Sequence, residues 1–173
     1  MGYLRTAFAQ MHFAWKLWDA ADDGKIALES VDADISFQSD DGKIFYKPPS
    51  AIFENAADFI NAFENLASIG FGVAAIALNR ACEEQGLGKP DPIASELDQC
   101  VALIYQIRCA FAHDIAAPKW QIKTRYRRSY TFGDRTFDLA TLDGKSLKWE
   151  HMGGPDGLVW IKEFLTDNVP NFG

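Results

Sequence analysis

Three long stretches of this chain carry apolar residues every three or four positions, and that spacing commits most of it to helix. Leu4, Phe8, Met11, Trp15 and Trp18 form one stripe, predicting a first helix over roughly 2–20 that ends at Asp22-Asp23-Gly24. Phe53, Ala57, Ile60, Phe63, Ala67 and Phe71 form a second, continued by Ile69, Val73, Ile76 and Arg80, so a helical region runs from about 51 to 86. Ser50 is its expected N-cap, and Gly70 and Gly72 are places where it could kink or split. Ile93, Leu97, Val101, Ile104, Arg108 and Phe111 mark a third helix, with start signals at Asp91-Pro92 and a stop at Pro118.

Between and after these helices the signals change. Ile35–Gln38 and Lys43–Tyr46 flank Ser39-Asp-Asp-Gly42, which predicts a hairpin. Tyr126–Phe132 and Arg135–Leu139 flank Gly133-Asp134, which predicts a second. Asp143-Gly144 is a further turn, and Leu158, Ile161, Phe164 and Leu165 mark a short final helix. The expected fold class is mainly α: a helical bundle of three long helices and a C-terminal helix, with peripheral β-hairpins. With 173 residues, 48% of them hydrophobic, the chain is expected to form a single domain over 1–173. Within it, about 2–117 would be the helical core and 118–173 a hairpin-and-helix extension.

Composition narrows the setting. Cys82, Cys100 and Cys109 are an odd number at wide spacing, which suits neither a disulfide framework nor a zinc site. Small buried thiols in a reducing compartment are expected. The N-terminal residues lack an uninterrupted apolar run of the kind a secretory signal needs. The apolar stretch from Leu66 to Leu78 is too short to span a bilayer and reads as a buried core helix. A cytoplasmic location without membrane association is therefore expected.

The net charge of −7 argues against general coating of nucleic acid. The charge is uneven, however. Residues 1–118 hold 8 Lys and Arg against 17 Asp and Glu, whereas 119–173 hold 9 against 7. Lys119, Lys123, Arg125, Arg127 and Arg128 follow one another with no acid among them, interleaved with Trp120 and Tyr126. Cations can hold a phosphate backbone while aromatic faces stack on unpaired bases, so these seven residues are candidate nucleic-acid or phosphate contacts. A charged edge that resists aggregation would look the same in sequence.

Several short motifs fail on context. Gly70-Phe-Gly72-Val-Ala-Ala75 matches a dinucleotide fingerprint, but helix-periodic residues precede it where a strand is required. Close helix packing accounts better for these glycines. Gly144-Lys145-Ser146 lacks the first glycine of a phosphate loop, since position 139 is Leu. The Asp19–Ser30 segment has Ala21 and Ser30 where a calcium loop needs oxygen-rich ligands. His12, His113 and His151 have no metal-ligand spacing, so neither metal nor cofactor is expected.

The strongest chemical lead lies near the end of the third helix, in Arg108-Cys-Ala-Phe-Ala-His113, followed by Asp114. Arg is a permanently charged fork for phosphate oxygens, and His exchanges protons near neutral pH. Asp114 is the candidate orienting carboxylate. Five residues turn an ideal helix through about 140°, so Arg108 and His113 do not share a face. Either the helix unwinds near His113, or a second chain related by a twofold axis brings each Arg to its partner's His. An arginine paired with a neighbouring acid and a histidine complementing the helix dipole would give the same residues without function.

A long helix ending in R-x4-H within a small helical bundle resembles the HEPN superfamily, and Ile107-Arg-Cys-Ala-Phe-Ala-His-Asp114 is similar to its signature segment. The resemblance covers about residues 2–117, and Cys109 stands where that family commonly has a polar residue. It implies a homodimeric helical bundle whose active members are metal-independent endoribonucleases, with Arg108 and His113 as the catalytic pair in a cleft between protomers. RNA or a nucleotide would be the ligand. The alternative it leaves open is a non-catalytic dimeric interaction module, or nucleotide-binding regulator, that meets a protein partner.

Overall fold

In the computed structural model, which describes residues 2–172, the chain is mainly helical with two small antiparallel hairpins. The elements are α1 (Gly2–Asp22), α2 (Leu28–Val31), β1 (Phe37–Gln38), β2 (Ile44–Tyr46), α3 (Ala56–Glu84), α4 (Glu96–His113), β3 (Ser129–Phe132), β4 (Arg135–Asp138) and α5 (Gly157–Asn168). Short 3₁₀ turns cover Thr124–Tyr126 and Trp149–Met152. The chain divides into two compact units: one holds its beginning through Met11 and everything from Ser68 onward, the other His12–Ala67.

Local chemistry sets the helix ends. α1 and α3 both stop at a left-handed glycine. Gly24 has φ 70° and Gly86 φ 75°. Lys25 N–H then reaches back to the Ala20 carbonyl, and Leu87 N–H to that of Cys82, satisfying carbonyls the helix leaves open. The helix starts differ from expectation. α3 begins at Ala56 rather than 51, because Asn55, not Ser50, accepts the N–H groups of Ala57 and Asp58 at 2.9 and 3.1 Å. α4 begins at Glu96, beyond Asp91-Pro92. There Ser95 and Asp98 form a reciprocal capping box, which satisfies two orphan donors at once. Hydrogen bonding to Ser95, first from its N–H and second from its side chain, holds the Asp98 carboxyl below the usual carboxylate range.

In the larger unit, Leu4, Phe8 and Met11 of α1, Phe71 and Leu78 of α3, Leu103, Ile104 and Ile107 of α4, and Leu158, Ile161 and Leu165 of α5 are buried. Each such side chain adds about 1.5–3 kcal/mol when fully removed from water. α3 is one unbroken helix of 29 residues through Gly70 and Gly72. Gly72 has the packing role expected of it, since a Cβ there would lie 2.4 Å from the Phe111 ring. α3 is long and apolar enough to cross a membrane by length and composition, yet Phe71, Ala74, Ala75, Leu78 and Ala81 are buried inside the protein, as in a core helix.

Residues 119–172 belong to this same unit and supply core. Trp120, Tyr126, Tyr130, Phe132 and Leu139 are among the largest fully buried side chains. In the β3–β4 hairpin, Tyr130 pairs with Phe137 and Phe132 with Arg135, and Tyr130, Phe132 and Phe137 point inward. Gly133 enters its two-residue turn with φ 55°, where a side chain would be strained and would meet Trp160. α4 holds the hairpin by its backbone: Gln99 accepts the Thr131 N–H at 2.9 Å and Glu96 that of Gly133 at 3.0 Å.

The smaller unit has less interior. Ala14, Ala21, Phe59 and Ala67 are its buried apolar residues, and Phe59 packs edge-on to Phe53 and Phe63. In its β1–β2 hairpin, Phe37 opposes Tyr46 and Gln38 opposes Ile44, with a register irregularity between, and every strand residue is exposed.

Candidate functional site

Arg108 and His113 sit on the last turns of α4, which is regular helix through His113. The helix does not unwind to bring them together, so within one chain the pair stays on faces about 140° apart. Arg108 is half-buried and shares a face with Val101, Tyr105 and Ala112, whereas His113 is exposed. Among the described residues neither makes a hydrogen bond or an ion pair within the chain. Arg108 is therefore not consumed by a carboxylate, and both side chains remain available to something outside the chain.

Asp114 has a different task from the one expected. It leaves the helix with extended φ and ψ, and its Oδ1 accepts the N–H groups of Ala116 and Ala117, each at 3.0 Å. It fixes the turn after α4 and makes no bond to His113. An aspartate just past a helix end folds back on its own backbone because the next N–H groups have no helical partner.

The basic run splits into two sets. Trp120 and Tyr126 are 0% and 1% exposed, so they are core residues and present no face to a base. Arg125 pairs with Asp91 at 3.0 Å and donates to the Tyr126 hydroxyl at 2.7 Å. Arg127 is bound to Asp143 and donates to the Ile122 carbonyl at 3.1 Å. Lys119, Lys123 and Arg128 are exposed and have no ion pair among the described residues. An isolated bridge pairs Lys119 with Ser146, and the Trp120 N–H donates to the Lys145 carbonyl at 2.9 Å. That crossing sets the backbone of Lys145, a cation absent from the sequence-based set, against that of Trp120.

His151 is a second residue that sequence reasoning missed. Its Nδ1 accepts from Trp120 Nε1 at 3.0 Å and from the Lys148 N–H at 3.1 Å. Both bonds require Nδ1 to be unprotonated. Burial lowers the pKa of His151, with Lys148 and Lys145 adding to the shift and Glu150 opposing it. The only available clue was a buried tryptophan N–H in need of an acceptor.

Cys82 and Cys100 are buried, inert thiols, whereas Cys109 is half-buried rather than buried as expected. Burial raises Cys82 to about 12 and Cys100 well above its ordinary value, and all three cysteines are free. Among the described residues no group of three or more His, Cys, Asp or Glu is placed to hold a metal ion. A groove of ≈ 550 Å³ between Tyr3, Thr6 and Gln10 of α1 and Val73, Ile76 and Arg80 of α3, and a hollow of ≈ 260 Å³ under Gly86–Pro90, are lined by neither Arg108 nor His113. In comparisons with known proteins, no family model, no curated protein and no solved structure matches this chain.

Proposed function

We propose that this chain acts in the cytoplasm as a HEPN-like homodimer that binds RNA and cleaves it without a metal, using Arg108 and His113. The observation that carries this reading is the state of the pair: an arginine and a histidine at one helix end, neither engaged within its own chain. Their angular separation on a regular helix makes a second chain the means of uniting them. The free thiols, two of the three buried, support a reducing compartment.

In the reaction, an RNA 2′-hydroxyl attacks its neighbouring phosphorus and the P–O5′ bond breaks, leaving a 2′,3′-cyclic phosphate and a 5′-hydroxyl. His113 takes the 2′ proton or delivers one to the leaving oxygen, a contribution on the order of 10²–10⁴-fold. Arg108 offsets the charge that grows on the phosphorane oxygens. Lys119, Lys123 and Arg128 hold the backbone, while Trp120, Tyr126, Arg125 and Arg127 are already committed within the fold. Cleavage of an RNA pool in EDTA, reduced at least about 100-fold by His113→Ala and comparably by Arg108→Ala, is expected. A wild-type protein that cuts no RNA across the pH range, or activity that survives both substitutions, contradicts it.

The second reading is a non-catalytic dimer that uses the same two side chains to hold a nucleotide phosphate. The commitment of Asp114 to its backbone turn favours it, because His113 then lacks an orienting carboxylate next to it in sequence. A nucleotide that raises the melting temperature of wild type but not of Arg108→Ala, with no RNA cleavage, selects this reading.

A further inference from the structure

The β1–β2 hairpin and its flanks expose apolar side chains that folding ordinarily hides. Phe45 is 69% exposed, Ile44 59%, Tyr46 55%, Ile52 52%, Ile35 50% and Phe37 47%. Phe37 stacks on Tyr46 with ring centroids 5.9 Å apart and lies 6.3 Å from Phe45, so the aromatics form one cluster. A contiguous apolar cluster at the surface is a mark of an interaction site, and a two-stranded hairpin is marginal unless something packs on it.

Charge identifies what would cover it. The unit His12–Ala67 holds 4 Lys and Arg against 11 Asp and Glu, a net −7. With 17 and 24 in the chain, 13 of each remain elsewhere, so this unit carries the whole net charge. Both lysines of the hairpin are already neutralised: Lys43 pairs with Asp41 at 3.0 Å and Lys47 with Asp34 at 3.6 Å. Glu29, Asp40 and Glu54 have no cation among the described residues. A second copy docked face to face would set −7 against −7. Nucleic acid and anionic lipid would be repelled in the same way.

We propose that the hairpin face of residues 31–54 is a docking site for a basic polypeptide segment whose own apolar side chains anchor on Phe37, Phe45 and Tyr46. Lysines and arginines of the segment would meet Asp40 and Glu54. The proposal is independent of Arg108 and His113, and holds whether or not they cut RNA.

The test is fluorescence anisotropy on the full chain with a labelled peptide in which Lys and Arg alternate with Leu and Phe. A twin carrying Glu at every cationic position is the control. The basic peptide is expected to bind, more weakly as salt rises, and the acidic twin to fail. Phe45→Ser should weaken binding about tenfold or more, as should Asp40→Lys with Glu54→Lys, with melting temperatures unchanged. Arg108→Ala should bind as wild type. Absence of binding at low salt, equal binding of the acidic twin, or binding unaffected by Phe45→Ser overturns the proposal. So does self-association abolished by Phe45→Ser, which would make a second copy the occupant, or Phe45-dependent binding to phosphatidylserine vesicles without peptide binding.

Discussion

Phe132 and Phe45 are the same side chain in two hairpins that look alike in sequence, and they end in opposite places. Phe132 is 0% exposed and Phe45 69%. The strands around Phe132 alternate inward and outward without a break, and α4 receives them with Gln99 and Glu96, which accept one strand N–H and one turn N–H. The strands around Phe45 are shorter, irregular in register and exposed along their whole length. Alternation in a sequence therefore does not bury a hairpin by itself. Burial needs a helix whose polar side chains match the strand edge and whose apolar side chains match its face.

The sharpest way to break this contrast is to truncate both rings. Phe132→Ala should destabilise by about 3–5 kcal/mol, the cost of emptying a packed aromatic site. Phe45→Ala should stay within about 0.5 kcal/mol, as an exposed substitution does. Urea unfolding followed by far-UV circular dichroism reads both, and similar losses at the two positions would mean that the first hairpin is also held by its own packing.

A smaller effect tests the interior of the larger unit by pH. The pKa of His151 in the folded chain lies below its ordinary 6.5. The unfolded chain therefore binds the proton first as pH falls. Stability from this group is complete above 6.5 and declines as pH drops below it, because protonation of Nδ1 breaks its bonds from Trp120 and Lys148. Melting temperatures between about pH 7 and 5 should fall more for wild type than for His151→Gln, whose side-chain oxygen can accept from Trp120 without titrating. Parallel curves would exclude this role.

Much of the fold was legible in the sequence because its signals are local. The α1 stripe from Leu4 to Trp18, the Gly133-Asp134 turn and the apolar face of α5 each appear within a few residues of where they act. The helix starts were less legible, since Ser50 and Asp91-Pro92 are plausible caps until Asn55 and the Ser95–Asp98 box are seen making the bonds. The candidate site was legible in part. Arg108 and His113 are where the spacing put them, at the end of a regular helix.

Trp120 and Tyr126 were misassigned although a signal was present. From Lys119 to Tyr126 the chain alternates Lys, Trp, Gln, Ile, Lys, Thr, Arg, Tyr, and that period of two points the cations outward and Trp120, Ile122 and Tyr126 inward. The Trp120–His151 bond and the Lys119–Ser146 bridge join residues far apart in the chain, and no local pattern announces them.

The two residues at the end of α4 also differ in what can complete them. Their separation on an unbroken helix leads to the central claim that a working site takes Arg108 from one chain and His113 from another. Mixing the Arg108→Ala and His113→Ala proteins under conditions that allow subunit exchange tests this directly. A mixed dimer then carries one site with both native residues, so equal mixing should restore about a quarter of wild-type RNA cleavage from two inactive proteins. Recovery of no activity after verified exchange, with wild type active and both variants folded, would contradict a site shared between chains.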